Sequence, residues 1–188
     1  MKRIVMATMA IAFCTFQVNA QTTSIGFKAG VNIATLGTEQ SPKPSALIGL
    51  HAGLLAHIHV ADKFAVQPEV VYSMQGAKDK SDNSELRLGY LNVPVLVQYM
   101  FSNGLRLETG PQAGILLSAK EKDNNVSVDV KNGVNGFDFS WAAGVGYLSK
   151  MGLGADARFN FGLSNINKNN IGKLRNNVAQ IGLFYQFK

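Results

Sequence analysis

The sequence predicts an all-β fold, a closed eight-stranded antiparallel up-and-down transmembrane β-barrel. Three observations carry this. Apolar residues recur with period two from Ser24 onward, the signature of half-buried strands. The runs number eight, an even count, as in single-chain bacterial barrels. Short turns alternate strictly with long loops, so that one rim carries all the turns and the other all the loops.

The chain opens with Met1, Lys2 and Arg3, continues apolar from Ile4 to Phe16, and reaches Val18, Asn19 and Ala20. That is the pattern of a secretory signal peptide, residues 1–20, cleaved before Gln21. The apolar run is shorter than the roughly 20 residues a spanning helix needs. Phe13 before Cys14 departs from a lipoprotein signal. Residues 21–188 are then one barrel domain. Cleavage removes the single cysteine, so no disulfide, thiol nucleophile or thiolate metal site is expected. It also removes Lys2 and Arg3, leaving 16 basic against 12 acidic residues, a net charge of +4. These cations are spread along the chain, which argues against nucleic-acid binding.

The strands are expected near 24–35, 46–60, 64–75, 88–100, 105–117, 137–148, 152–163 and 177–187. In the first, Ile25, Phe27, Ala29, Val31 and Ile33 alternate with Gly26, Lys28, Gly30, Asn32 and Ala34. In the third, Phe64, Val66, Pro68, Val70 and Tyr72 alternate with Ala65, Gln67, Glu69, Val71 and Ser73. The fifth sets Leu105, Leu107, Thr109, Ala113, Ile115 and Leu117 against Arg106, Glu108, Gly110, Gln112 and Gly114, and the last two strands follow suit. Short turns fall at 61–63, 101–104 and 149–151, and long loops at 36–45, 76–87, 118–136 and 164–176. In outer-membrane barrels the short turns are periplasmic and the long loops external.

A secreted soluble ligand-binding barrel would also show eight alternating strands. The polar face decides between them. It carries Gly26, Gly30, Gly49, Gly53, Gly110, Gly114, Gly144, Gly146, Gly154, Gly162 and Gly182. Glycine weakens a strand unless space is short, so these point to a cramped lumen. The same face holds Lys28, Arg106 and Arg158 with Glu69, Glu108, Asp138 and Asp156, a set expected to neutralise itself as a structural charge network. The apolar face places Phe27, Phe64, Tyr99, Tyr147, Tyr185 and Phe187 toward the short turns. Tyr72, Phe137, Phe139, Trp141, Phe159 and Phe161 fall toward the long loops, giving the two aromatic girdles of a bilayer-facing surface. Strands of about 11 residues, rising roughly 3.3 Å each at a tilt of about 40°, cover on the order of 28 Å, enough for the roughly 25 Å apolar band.

Four stretches resemble the PorT-like outer-membrane β-barrel proteins common in Bacteroidetes. Gly26 to Leu36, GFKAGVNIATL, is similar to that family's first strand. Tyr90 to Tyr99, YLNVPVLVQY, is similar to its fourth, with Asn92 where an acid is usual. Gly110 to Lys120 and Ala157 to Ile166 resemble the fifth and seventh. The resemblance implies the barrel and the cell outer membrane, and allows an accessory role in a secretion or envelope-assembly system. The terminal LFYQFK resembles the aromatic final strand read by barrel-assembly machinery.

No enzyme and no cofactor are expected. His51, His57 and His59 share the lumen face of the second strand, but a third metal ligand is not apparent, so hydrogen bonding to lumen carboxylates is the expected role. An eight-stranded lumen is just wide enough for side chains, which argues against solute uptake. What remains is a structural or surface-interaction role through the loops. Loops 76–87 and 118–136 carry mixed, balanced charge and are candidate surfaces for a protein partner. A plain flexible loop is the default for 118–136, although Val126, Val128 and Val130 alternate as in an exposed ribbon that could pair with a partner strand. The last loop carries a net-positive patch, Lys168, Lys173 and Arg175, suited to outer-membrane lipid and lipopolysaccharide headgroups.

Overall fold

The computed structural model describes residues 23–38, 44–79, 84–123, 126–168 and 172–187. The expected signal peptide and its cleavage before Gln21 lie outside them, as do residues 39–43, 80–83, 124–125 and 169–171 of the long loops.

The described strands are β1 (Thr23–Thr38), β2 (Ser45–Ala61), β3 (Phe64–Lys78), β4 (Glu85–Met100), β5 (Leu105–Asp123), β6 (Val126–Asp129), β7 (Phe137–Leu148), β8 (Leu153–Gly162) and β9 (Leu174–Gln186). All but β6 form the barrel wall. Each wall strand pairs antiparallel with the next, β5 pairing directly with β7, and β9 returns to β1 from Gly26↔Gln186 to Thr38↔Leu174. Closure satisfies the backbone internally, the condition for crossing a bilayer with strands. Short turns join β2 to β3, β4 to β5 and β7 to β8. Gly104 and Gly152 take φ of 91° and 88° in two of them, a left-handed conformation that only glycine adopts cheaply.

The faces alternate as expected. Ile25, Phe27, Val31 and Ile33 of β1 are exposed outward, whereas Lys28, Asn32 and Ala34 are buried in the lumen. An outward surface of Leu50, Leu54, Val70, Val97, Leu107, Val145, Ile181 and Leu183 suits lipid, and a soluble barrel could not leave so much apolar area in water. At the short-turn end, Phe27, Tyr185 and Phe187 form one ring cluster, with centroids 5.3–6.0 Å apart. Tyr99 links Phe64 and Phe101 in another. Toward the long loops, Phe159 stacks at 4.6 Å on Phe161, and the Trp141 indole donates to Thr109 Oγ1 at 2.9 Å.

Most strands outrun their expected ends at the long-loop rim. β1 continues to Thr38, β3 to Lys78 and β5 to Asp123, while β4 starts at Glu85 and β9 at Leu174. Backbone pairing does not require apolar outward residues, so it persists where the alternation of hydrophobicity ends. In β5 there is a second cause. Tyr90 pairs with Leu116, but the adjacent Gly89 pairs with Ser118, so Leu117 is an extra residue. This β-bulge reverses the inward and outward positions beyond it. Below the bulge the even-numbered residues of β5 face inward; above it Ala119 faces inward and Lys120 outward.

Candidate functional site

Five lumen charges make direct ion pairs. Arg158, on β8, reaches across to Glu69, on β3, with two parallel hydrogen bonds, and its Nε lies 3.0 Å from Glu108. Asp156 accepts from Lys28 and from Arg158, and Lys28 Nζ lies 3.5 Å from Glu69. Two cations thus face three carboxylates. Arg106 supplies the third positive charge indirectly: it donates to Gln98, which donates to Glu108. Its guanidinium lies 5.8 Å over the Phe184 ring. Carboxylates, an ammonium and a guanidinium removed from water are tolerable in the five-membered cluster, because each of these charges finds an opposite partner.

Asp138 departs from the expected seven-membered network. It sits at the start of β7, toward the long loops, and accepts from Ser164 and Asn176 instead of from a cation. The histidines also differ from expectation. His51 Nδ1 is 2.7 Å from the Asn32 amide oxygen and His57 Nδ1 is 3.3 Å from that of Gln67, so their partners are amides and not carboxylates. His57 and His59 stack edge to face at 4.7 Å. Among the described residues no three His, Cys, Asp or Glu side chains gather as metal ligands.

The glycines are where large side chains need room. A Cβ on Gly154 would stand 2.2 Å from the Phe184 ring, one on Gly144 2.6 Å from Arg158 Cβ, and one on Gly30 2.7 Å from His51 Cε1. The lumen is therefore filled by side chains that fit only because their neighbours have none.

Above the polar network lies a feature that alternation did not reveal. Leu36, Ala77, Leu88, Tyr90, Leu116, Ala119 and Ile166 form a buried apolar cluster, with Leu86, Val130, Val134 and Leu174 packed against it. Ile166, only 2 % exposed, comes from the loop between β8 and β9, and Val130 and Val134 come from the loop before β7. The two loops are stitched together. Asn135 N–H donates to Ile166 O at 2.8 Å, Lys168 N–H to Gly133 O at 3.2 Å, and Val134 bridges Asn167. The Asn165 side chain accepts from the backbone of Asn167 and Leu174. An apolar cap thus covers the lumen at the long-loop end.

Beyond the cap, β5 and β6 form a hairpin, Lys120↔Asp129 to Asp123↔Val126. The loop expected as plain at 118–136 is therefore a ribbon followed by a 3-10 turn at Lys131–Gly133. The other edge of β6 pairs with no strand among the described residues. Val126 and Val128 are 62 % and 55 % exposed, on the same ribbon face as Glu121 and Asp123. Lys120 and Lys122 fall on the opposite face, together with Asp129, which is opposite Lys120 in register. At the base of that lysine face, Arg87 donates twice to Glu85, which holds its carboxyl below the usual carboxylate range. Lys168, Lys173 and Arg175 are exposed on the same rim, Lys173 and Arg175 beside the end of β1 and Lys168 beside Gly133.

Residues 19–168 match the family model described as the outer membrane protein beta-barrel domain. No curated protein matches the chain. Solved structures share the fold. Neisserial surface protein A is 13% identical with a TM-score of 0.63, over 88% of this chain and 99% of that one. The attachment invasion locus protein Ail of Yersinia pestis is 12% identical with a TM-score of 0.57, over 87% and 98%. The outer membrane protein OprG from Pseudomonas aeruginosa is 13% identical with a TM-score of 0.50, over 89% and 97%.

Proposed function

The chain belongs to the outer membrane protein beta-barrel domain family, and on that premise we propose that it is a surface-interaction protein, with a plugged barrel as anchor and the β5–β6 ribbon as contact surface. The carrying observation is the exposed pair Val126 and Val128 on a strand whose outer edge is unpaired among the described residues. Such an edge can accept a partner strand, main-chain bonds giving affinity and the side chains beside it selectivity. The apolar cap and the filled lumen support this reading over solute passage, and the proposal assigns no catalytic residue and no cofactor. The lumen charges Lys28, Glu69, Arg106, Glu108, Asp156 and Arg158 act as a structural plug, with Asp138 serving the cap side.

Two narrower readings accompany it. Lys168, Lys173 and Arg175 would meet anionic lipopolysaccharide headgroups, which their exposure at the external rim supports. The motifs at Gly26 to Leu36 and Tyr90 to Tyr99 support a PorT-like member. An accessory role in secretion or envelope assembly would use the same ribbon.

The test is site-specific photo-crosslinking in the native host, with the probe at Val128 and, as control, at Lys122 on the opposite face. A discrete adduct at Val128 that disappears with Val126→Lys supports the proposal. No adduct at either position would leave the barrel with a structural role and end the interaction reading.

A further inference from the structure

Two depressions on the outward, lipid-facing wall meet at Tyr72 and Met74. The lower one arises because Ala29 of β1 and Ala52 of β2 are opposite each other, and Ala52 is opposite Tyr72 of β3. Two small side chains between Val31, Leu50, Tyr72 and Met74 leave a hollow of about 490 Å³, lined almost wholly by apolar atoms. The upper depression, about 340 Å³, runs from Tyr72 and Met74 past Gly89 and Ser118 to Arg87 and Lys120. At Gly89 the missing side chain lets Ser118 and Tyr72 lean over the backbone: a Cβ there would stand 2.6 Å from Ser118 Oγ and 2.9 Å from Tyr72 Oη.

The charge at the upper end follows from the β5 bulge. By reversing the faces, it sends Lys120 and Lys122 outward beside Arg87 and Lys78, and turns Glu121 and Asp123 the other way. Two carboxylates lie amid these cations: Glu85, 2.7 Å from Arg87 and 3.9 Å from Lys78 with Lys122 opposite it in register, and Asp129, opposite Lys120 in the ribbon. Four cations around two carboxylates leave a positive surplus of two just above the apolar wall. A hollow walled by Ala, Val, Leu and Met within the bilayer takes hydrocarbon, and a basic cluster at the rim attracts an anionic headgroup. Tyr72, apolar in its ring and polar at its hydroxyl, joins the two levels as interfacial aromatics do.

We propose that this continuous groove holds one phosphorylated, acylated lipid of the outer leaflet, an acyl chain lying against Ala29 and Ala52 and a phosphate meeting Arg87 and Lys120. The site is separate from the Lys168, Lys173 and Arg175 patch, and it rests on the outer-membrane placement but not on the ribbon having a partner. Its position on the wall between β1 and β5, with the cations at the external rim, suits a lipid that stands in the membrane beside the barrel.

The experiment is native mass spectrometry of the full chain in detergent micelles, titrated with diphosphoryl lipid A. Its deacylated phosphorylated disaccharide serves as the competing probe. Wild type should retain one lipid A. Arg87→Gln with Lys120→Gln should weaken retention about tenfold, the scale of losing charge-assisted contacts. Ala52→Phe, which fills the lower hollow without touching a charge, should weaken it similarly, with Ala52→Leu as the milder check should the larger residue disturb folding. Unchanged retention in the double charge variant, or in both Ala52 variants, would overturn the proposal. So would equally tight binding of the deacylated disaccharide, since that would mark a plain phosphate site. Heat-modifiable mobility of each variant separates loss of the lipid from loss of the barrel.

Discussion

Arg158 and Glu69 face each other across the lumen with Nη1 and Nη2 at 3.0 and 2.9 Å from the two carboxylate oxygens, although 89 residues separate them in the chain. This fork joins β8 to β3, which are not neighbours in the wall. It ties the barrel across its interior, where backbone pairing ties it only around its circumference.

Breaking that pair should be expensive because the surviving carboxylate stays buried. Arg158→Met is expected to destabilise the folded barrel by about 3–5 kcal/mol. Adding Glu69→Gln should recover part of the loss, because the double variant returns the cluster to its original charge surplus. Urea unfolding in lipid vesicles checks both. With Glu69→Gln alone as the third corner of the cycle, a double variant whose loss equals the sum of the two single losses would show that the pair is not coupled.

The sequence made much of this legible, for a physical reason. A barrel wall imposes period two, so Lys28, Glu69, Arg106, Glu108, Asp156 and Arg158 could be assigned inward from alternation alone, and glycines on the same face signalled crowding. What alternation cannot convey is distance along the lumen, which left Asp138 grouped with charges it does not touch. The Leu117 bulge hid the upper part of β5, because the period changes phase where the strand leaves the membrane. The cap was hidden for a different reason. Leu88, Leu116 and Ile166 lie far apart in sequence, and only the folded loops bring them together.

Gly154 supplies the space for Phe184, so Gly154→Ala is expected to cost about 1–3 kcal/mol by overpacking. Phe184→Leu should relieve part of that cost in the double variant. Additive losses, read from the same unfolding experiment, would mean that the ring shifts freely and the lumen is less crowded than the contact implies.

Ile166 anchors the cap, and replacing it with Asp would put a charge among apolar side chains without altering the wall. Protease digestion of intact cells should then cut the loops around 130–136 and 163–168 faster than in wild type, while the detergent-extracted barrel keeps its heat-modifiable mobility. Unchanged cleavage would argue that the two loops hold together through their backbone hydrogen bonds alone.

Neutralising the β9-side patch as Lys168→Gln, Lys173→Gln and Arg175→Gln should weaken a second, looser class of lipid A binding in a micelle titration by about a hundredfold at low salt, at about 1 kcal/mol per cation near an anionic surface. The effect should shrink as salt is raised. Binding that ignores both the triple variant and salt would remove these residues from any lipopolysaccharide role.

The most direct test of the central claim is membrane fractionation of the native host, followed by gel mobility of the extracted protein with and without boiling. A closed barrel of eight paired strands predicts an outer-membrane band that migrates differently after heating, because the unboiled form remains folded in detergent. A soluble periplasmic protein whose mobility is the same before and after boiling would contradict the account, turning the apolar face inward and reviving a ligand-binding barrel.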